Sequence, residues 1–351
     1  MSRVTVQRLR GVVCDLPPVY FALVMATGTL SMALHEVGLD GVSVVLLIID
    51  ALAYAALAVL TVWRLVSFRS RVAEDVRDPT RGFGFFTIVA GSNVLASRLV
   101  VAGFDGVAYA LLVVGTAAWL VLGYLVPWLV LVRGQGDTEA SGFQRADGSW
   151  FVWAVASQSV AVAAAMLQPE AGEASHLLAL LAFVAWAVGC FLYAAAVVLV
   201  GLKVVLYGVT PEGFTPTYWV TMGAASITIL AGVHLAAMRG ASVIAVMHGL
   251  TTAASVMFWA FATWLLPVLV AAGWWRHVVH RVPLAYEPAL WTMVFPLAMY
   301  ALASMTLGES DGLAWITRLG KAELWLAAVV WAVTFGAMCH HLYGRILRPA
   351  R

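Results

Sequence analysis

Ten long apolar stretches occupy almost all of this sequence, and they limit its possible folds more than any other feature. A transmembrane helix needs about 20 mostly apolar residues. Only 11% of the residues are charged, whereas a soluble domain is roughly a quarter charged. The sequence therefore predicts an all-α polytopic membrane protein with ten spans, at 17–37, 42–66, 82–102, 106–132, 150–168, 174–206, 216–238, 241–273, 288–308 and 314–344.

The connections between these stretches are short and leave no room for a soluble domain. We expect an N-terminal segment at 1–16, a single membrane domain at 17–345 and a C-terminal tail at 346–351. Three arginines precede the first apolar stretch, as in a secretory signal. That stretch is longer than a typical signal core and lacks a convincing cleavage site, so we expect it to be retained as a span.

The basic residues of the connections predict the orientation of the chain. Positively charged loops face the cytoplasm. Of the 20 lysines and arginines, most fall on the side that carries both termini, and the exceptions are Arg98, Arg239, Arg318 and Lys321. We therefore expect a plasma-membrane protein with both termini in the cytoplasm. The basic excess reports topology and gives no reason to expect nucleic-acid binding.

Residue patterns typical of catalysis or metal binding are missing from the sequence. Cys14, Cys190 and Cys339 have neither C-x-x-C spacing nor an even count, so free buried thiols are expected. There is no H-E-x-x-H, no phosphate-binding G-x-x-x-x-G-K and no G-x-S-x-G. We expect no enzyme activity, cofactor or metal. From another class, a membrane-embedded haem protein would use His234 and His248 as axial ligands.

The odd-numbered spans share a repeated beginning, an aromatic residue followed by small or polar residues. The repeat begins at Phe21, Phe86, Phe151, Trp219 and Trp291, in steps of 65, 65, 68 and 72 residues. One step is the length of one helical hairpin, which indicates five successive hairpins. Hairpins that all re-enter from one side can close into a ring. We therefore predict a quasi-fivefold arrangement in which odd helices line a central pore and even helices face lipid.

Residues four and seven positions after the aromatic lie about 60° apart on a helix and are predicted to face the lumen. Proline inside a span kinks the helix, and bent backbone at membrane depth is tolerated where it lines a cavity. Helix packing by small residues is the alternative interpretation for any one span. The predicted pore-lining residues are Met25, Thr27, Gly28, Ala90, Ser92, Asn93, Val155, Ser157, Gln158, Gly223, Ser226 and Pro296.

Three ionisable residues inside the spans, Asp50, Arg98 and His234, are candidates for anion or proton coupling. Such residues are costly in a membrane and are often functional. Alternatives remain open: a structural hydrogen bond for Asp50, a snorkelling side chain for Arg98 and an interface histidine for His234. A cation pathway is expected to carry rings of carboxylates. The predicted lumen has hydroxyls and amides instead, which favours an anion.

Three segments of the sequence resemble one known family. They are LPPVYFALVMATGTLSMAL, FGFFTIVAGSNVLASRL and WTMVFPLAMYALASMTLG. Together they resemble the tellurite-resistance/dicarboxylate transporter family, which includes TehA-like proteins, malic-acid transport proteins and plant slow anion channels. The resemblance extends from about Leu16 to about Arg345.

The resemblance implies ten helices in five hairpins, a homotrimer, and a pore occluded by a phenylalanine that matches Phe295. It implies small anions as substrates. These are either four-carbon dicarboxylates such as malate, or the inorganic anions chloride and nitrate. Long regulatory tails like those of the plant channels are absent from the sequence. A proton-coupled dicarboxylate carrier, in which Asp50 or His234 would titrate, is the alternative within transport.

Overall fold

A computed structural model describes residues 3–132, 144–238 and 242–346. Within these ranges the chain is helical and has no β-strand. Residues 347–351 of the predicted C-terminal tail lie outside the described residues. Ten segments are long and apolar enough to cross a membrane, which confirms the predicted spans: Pro18–Glu36, Asp40–Ser67, Gly82–Val101, Asp105–Val130, Gly148–Glu170, Gly172–Tyr207, Pro216–Ala237, His248–Val279, Pro288–Ser310 and Ala314–Gly344.

The described residues form twelve α-helices, which account for the spans and for two shorter helices on one side of them. The two shorter ones are the first and fourth. In chain order the helices are α1 (Arg3–Cys14), α2 (Ala22–Glu36), α3 (Asp40–Ser67), α4 (Arg69–Arg77), α5 (Phe86–Val101), α6 (Asp105–Pro127), α7 (Phe151–Leu167), α8 (Ser175–Tyr207), α9 (Val220–Ala237), α10 (Ser242–Trp274), α11 (Trp291–Ser310) and α12 (Ala314–Ile346).

Each odd-numbered span begins with a short 3₁₀ turn before its α-helix. The aromatic residues of the sequence repeat lie at this transition, either as the last residue of the turn or as the first of the helix. We call this end of the spans the aromatic end. The turns are Pro18–Phe21, Gly82–Phe85, Gly148–Trp150, Pro216–Trp219 and Pro288–Leu290.

The aromatic end is closely packed. A Cβ atom on Gly148 would lie 2.2 Å from the carbonyl oxygen of Thr217, so only glycine fits where these two turns meet. Three of the turns begin with proline, whose fixed φ suits the start of a helix and whose missing N–H group would be unpaired there anyway.

The opposite ends of the odd spans, which we call the turn end, connect each inner helix to its outer partner. After α2 and α5 the connection uses a glycine with positive φ, Gly38 (77°) and Gly103 (78°). The following residue then bonds back to the helix, as in Leu39 N to Leu34 O at 2.9 Å and Phe104 N to Leu99 O at 2.9 Å. This is the glycine C-cap that ends many helices.

The spans form two layers. In the odd spans, 78 to 89% of the most apolar window is buried, against 17 to 33% in the even spans. Large apolar side chains such as Leu52 and Phe191 are exposed on the even spans, as expected for surfaces that contact lipid. The predicted inner and outer positions of odd and even spans are therefore confirmed.

The five inner helices close on one another. Contacts connect α2 to α5, α5 to α7, α7 to α9, α9 to α11, and α11 back to α2. Each inner helix also packs against the outer helix that follows it in the chain. The chain thus forms a ring of five hairpins, whereas the fivefold symmetry of that ring stays a prediction.

Candidate functional site

The fourth residues after the five repeat aromatics are all apolar and buried, and we refer to them together as the apolar layer: Met25, Ala90, Val155, Gly223 and Phe295. Phe295 on α11 is fully buried, with 0% of its surface exposed. A Cβ atom on Gly223 of α9 would lie 3.2 Å from Phe295 Cε1 and 2.8 Å from Pro296 Cγ. The phenyl ring therefore packs against the neighbouring inner helix α9. Any residue larger than glycine at position 223 would have to displace the ring.

The other members of this layer are equally enclosed. Met25 is 2% exposed, and Ala90 and Val155 are 0% exposed. None of these side chains carries a polar group. The layer is therefore apolar and closed to solvent in this structure.

One sequence position, six residues after the repeat aromatic, makes a recurring polar contact with the outer layer. In three hairpins a hydroxyl at this position bonds an aromatic side chain of the outer helix from the preceding hairpin. The bonds are Trp331 Nε1 to Thr27 Oγ1 (3.0 Å), Tyr54 Oη with Ser92 Oγ (3.0 Å) and Trp119 Nε1 to Ser157 Oγ (2.8 Å).

The next position, seven residues after the aromatic, contacts the outer helix of its own hairpin. In each of the first three hairpins, a polar side chain of one helix packs directly against a glycine of the other helix of the same hairpin. The shortest approaches to a Cβ placed on the glycine are Gly28 to Asp50 Oδ2 (2.6 Å), Gly115 to Asn93 Oδ1 (2.7 Å) and Gly189 to Gln158 Nε2 (2.5 Å).

These contacts bring several of the predicted lumen residues against outer helices, while their lining of a lumen stays a prediction. Thr27, Ser92, Asn93, Ser157 and Gln158 extend between the inner and outer layers, where their polar atoms meet outer helices. Gly28 likewise faces the outer layer. Helix packing, the alternative interpretation, describes this face of the repeat. In the first three hairpins the interlayer contact recurs at the same positions of the repeat.

The remaining predicted polar residue of the lumen, Ser226, is fully buried on α9. Its hydroxyl donates to the backbone oxygen of Met222 at 2.8 Å. Such a bond to the preceding turn satisfies the hydroxyl within its own helix. Among the described residues, the hydrogen bond found for the Ser226 hydroxyl stays within α9.

Arg98 is buried, with 2% of its surface exposed, and does not snorkel to an interface. Its Nε donates to Ser31 Oγ at 2.8 Å and its Nη2 to Ser43 Oγ at 3.0 Å. Ser31 and Ser43 also bond each other's backbone oxygens. Arg98 therefore ties α5 to both helices of the first hairpin.

His234 lies at the turn end, in a cleft of about 640 Å³ formed by the ends of α7 and α9 and the start of α8. Gln168 and Ser175 line the same cleft, and Gln168 Nε2 donates to Ser175 Oγ at 2.6 Å. His248, on α10, is exposed. The structure thus places His234 beside polar groups of a cleft that the sequence did not predict.

Asp50 is fully buried on α3, and neither of its carboxyl oxygens has a hydrogen-bond partner among the described residues. Asp50 Oδ2 and Val94 Cγ1 both lie close to where a Cβ atom on Gly28 would be, at 2.6 and 2.9 Å. Asp50 therefore reaches an inner helix from the outer layer.

The sequence did not predict a polar network at the aromatic end of the spans. Asp78 accepts from Thr80 Oγ1 at 2.6 Å and from Arg145 Nη2 at 2.6 Å, which connects the second and third hairpins. Burial alone would raise the pKa of Asp78, but hydrogen bonds from Thr80, Arg81 and Arg145 lower it overall. The sequence signal was an aspartate two residues before a hydroxyl, at 78–80 and again at 147–149.

Comparisons with known proteins agree with this architecture. A sequence model of the voltage-dependent anion channel family, SLAC1, matches residues 15–339. This match confirms the resemblance to the tellurite-resistance/dicarboxylate transporter family. An uncharacterized membrane protein of Mycobacterium tuberculosis is 50% identical over 161 residues, which are 46% of this chain and 82% of that protein. An uncharacterized transporter of Methanocaldococcus jannaschii is 23% identical over 338 residues, 93% of each chain.

Proposed function

We propose a specific transport role for this chain, which belongs to the voltage-dependent anion channel family: it passes small anions across the membrane through the ring of inner helices. Members of the family are channels or transporters. The observation that carries the proposal is the closed ring of five buried helices, with a fully buried phenylalanine in its apolar layer.

In this proposal Phe295 is the gate. Hydrophobic constrictions can stop ions by excluding water, and the layer of Met25, Ala90, Val155 and Phe295 is apolar and closed to solvent. Phe295 is the bulkiest of these side chains, and its ring rests against Gly223. Movement of that ring, with or without a shift of α9, would widen the layer.

The proposed substrates are small anions such as malate, succinate, chloride or nitrate. No carboxylate ring is found at the fourth position of the repeat, so the closed layer has no group that would concentrate cations. We place the protein in the plasma membrane with both termini in the cytoplasm because the lysines and arginines favour that side. A homotrimer is the proposed assembly.

The gate is tested by anion flux in proteoliposomes at a fixed membrane potential. Phe295→Ala should raise the flux of at least one of these anions by tenfold or more, on the order of the change that 1.4 kcal/mol produces. Phe151→Ala is the matched control, because Phe151 is also a buried phenylalanine of an inner helix but its ring packs on Tyr193 of α8. Unchanged flux through well-folded Phe295→Ala protein would refute the gate assignment.

A further inference from the structure

Asp50 is a carboxyl group inside a membrane span, and no described residue donates a hydrogen bond to it. It lies ten residues after the start of α3, which is about 15 Å along the helix. It is 0% exposed, and both oxygens lack a hydrogen-bond partner among the described residues. A charged aspartate at the centre of a membrane helix is costly unless it is paired. Burial without a partner favours the neutral, protonated form of this carboxyl.

Arg98, on the neighbouring helix α5, does not pair with Asp50. Arg98 donates to Ser43 at 3.0 Å, and Ser43 lies seven residues before Asp50, about 10 Å along α3. On α3 itself, one turn after Asp50, the hydroxyl of Tyr54 is bonded to Ser92 at 3.0 Å. Neither group forms an ion pair or hydrogen bond with the carboxyl.

The other titratable groups that pack on α3 lie near its two ends. From α1 and α4, the backbone of Cys14 and the carboxylate of Asp75 accept from Arg64 at 3.0 and 2.7 Å. Arg64 lies fourteen residues after the carboxyl, about 21 Å along the helix. From α2, His35 bonds Asp40 at 2.5 Å, at the start of α3. Among the described residues, these charged groups are therefore all held near the ends of α3, away from the buried carboxyl.

Asp50 is also in direct contact with an inner helix. A Cβ atom on Gly28 of α2 would lie 2.6 Å from Asp50 Oδ2 and 2.9 Å from Val94 Cγ1. Glycine at this position lets the carboxyl pack against the backbone of α2. A change in the charge of Asp50 would therefore act directly on a helix of the ring.

In the second and third hairpins the corresponding contact is made by an uncharged amide side chain. Asn93 packs on Gly115, and Gln158 packs on Gly189. The pairs Gly28–Asp50 and Asn93–Gly115 have the same separation of 22 residues. In the first hairpin the glycine lies on the inner helix and the polar residue on the outer helix, the reverse of the second hairpin. The polar residue is also a carboxyl group, which can lose a proton, instead of an amide.

We propose that Asp50 is a proton-binding site that controls the packing of α3 against α2, and through it the anion pathway. The inference rests on the proposed transport function. When the carboxyl O–H bond breaks, the proton passes to water and a charge is left in the apolar contact. Water must then reach that charge, so α3 moves away from α2. The protonated form is the packed, closed form, and anion flux rises as pH increases.

Two variants isolate the proton site. Asp50→Asn gives the first hairpin the neutral amide that the second and third already have, so it should fold and stay in the packed form. Asn93→Asp is the matched control, because it places a titratable group in the same contact of the second hairpin. Wild-type flux should rise with pH by up to about tenfold per unit, the limit for one proton. Flux through Asp50→Asn should remain low and independent of pH, whereas Asn93→Asp should add a second pH-dependent step.

A measurement that needs no transport is the infrared spectrum of the purified protein. The carbonyl band of a protonated carboxylic acid should be present at neutral pH in the wild type and smaller in Asp50→Asn. An equal band in both proteins, or parallel flux profiles against pH, would overturn the proton site. If the band changes as expected but neither protein passes anions, the proposed function fails while the proton site stands.

Discussion

The contact between Asn93 and Gly115 can be tested as a pair, because it decides whether the seventh position of the repeat faces the outer layer or a lumen. A Cβ atom at position 115 would lie 2.7 Å from Asn93 Oδ1 and 2.8 Å from Asn93 Nδ2. Gly115→Ala therefore forces the amide aside. That movement strains its bonds to Val89 O (3.0 Å) and Ser159 Oγ (3.2 Å).

The expected magnitude follows from two opposing terms. Overpacking a close contact costs about 1–3 kcal/mol, while replacing glycine by alanine inside a helix gains about 1 kcal/mol. In the wild-type background Gly115→Ala should therefore lower the unfolding free energy by about 0–2 kcal/mol. In an Asn93→Ala background the overpacking disappears, and the same substitution should stabilise the protein by up to about 1 kcal/mol.

The assay is a double-mutant cycle, with the unfolding free energy of each purified protein measured by denaturing-detergent titration in micelles. The interlayer geometry predicts a coupling of about 1–3 kcal/mol between the two substitutions. This coupling is the difference between the effect of Gly115→Ala on stability in the wild type and its effect in the Asn93→Ala protein. Gly123→Ala on the same helix is the control, because the nearest atom outside α6 to a Cβ there is 3.9 Å away. A coupling near zero would show that Asn93 does not contact α6.

Two further substitutions test other parts of the structure. Ser157→Ala removes the acceptor of the Trp119 indole N–H. The loss should lower the unfolding free energy by about 1–3 kcal/mol and leave anion flux unchanged. A large change in flux would indicate that Ser157 lines the anion pathway. The lowered pKa of Asp78 means that its stabilising contribution is present above the pKa of an unfolded aspartate, about 4, and is lost as pH falls through the lower folded value. Melting temperatures measured against pH should therefore decline less steeply in acid for Asp78→Asn than for the wild type, and parallel curves would refute that role.

Much of the architecture could be predicted because it depends on properties that each segment carries by itself. Ten apolar stretches of membrane-spanning length gave ten helices. The richer content of small and polar residues in the odd spans indicated the inner layer. The aromatic register located the start of each inner helix, since residues such as Phe86 and Phe151 are the first residues of α5 and α7.

The orientation of the inner helices could not be predicted in the same way. Positions four and seven lie on one broad face, and that face contains both the apolar layer of Phe295 and the interlayer contacts of Asn93 and Gln158. Periodicity within one helix does not identify the neighbour that each side of it meets. The missing signal was the pairing of Asn93 and Gln158 with Gly115 and Gly189, two glycines among several small residues of the outer spans.

Ionisable residues were the least predictable feature, because their roles depend on contacts between distant parts of the chain. Arg98 bonds Ser31 and Ser43, which lie 67 and 55 residues earlier in the sequence. Asp50 has no partner among the described residues, although the sequence equally allowed a structural hydrogen bond.

The most direct test of the central claim is the reversal potential of the current through Phe295→Ala protein in a planar bilayer with a salt gradient. With potassium chloride, nitrate or malate, an anion pathway predicts a reversal potential close to the equilibrium potential of the permeant anion. The same patch of membrane without protein is the baseline. A reversal potential close to that of potassium would contradict the assignment of an anion pathway, as would the absence of current with every anion.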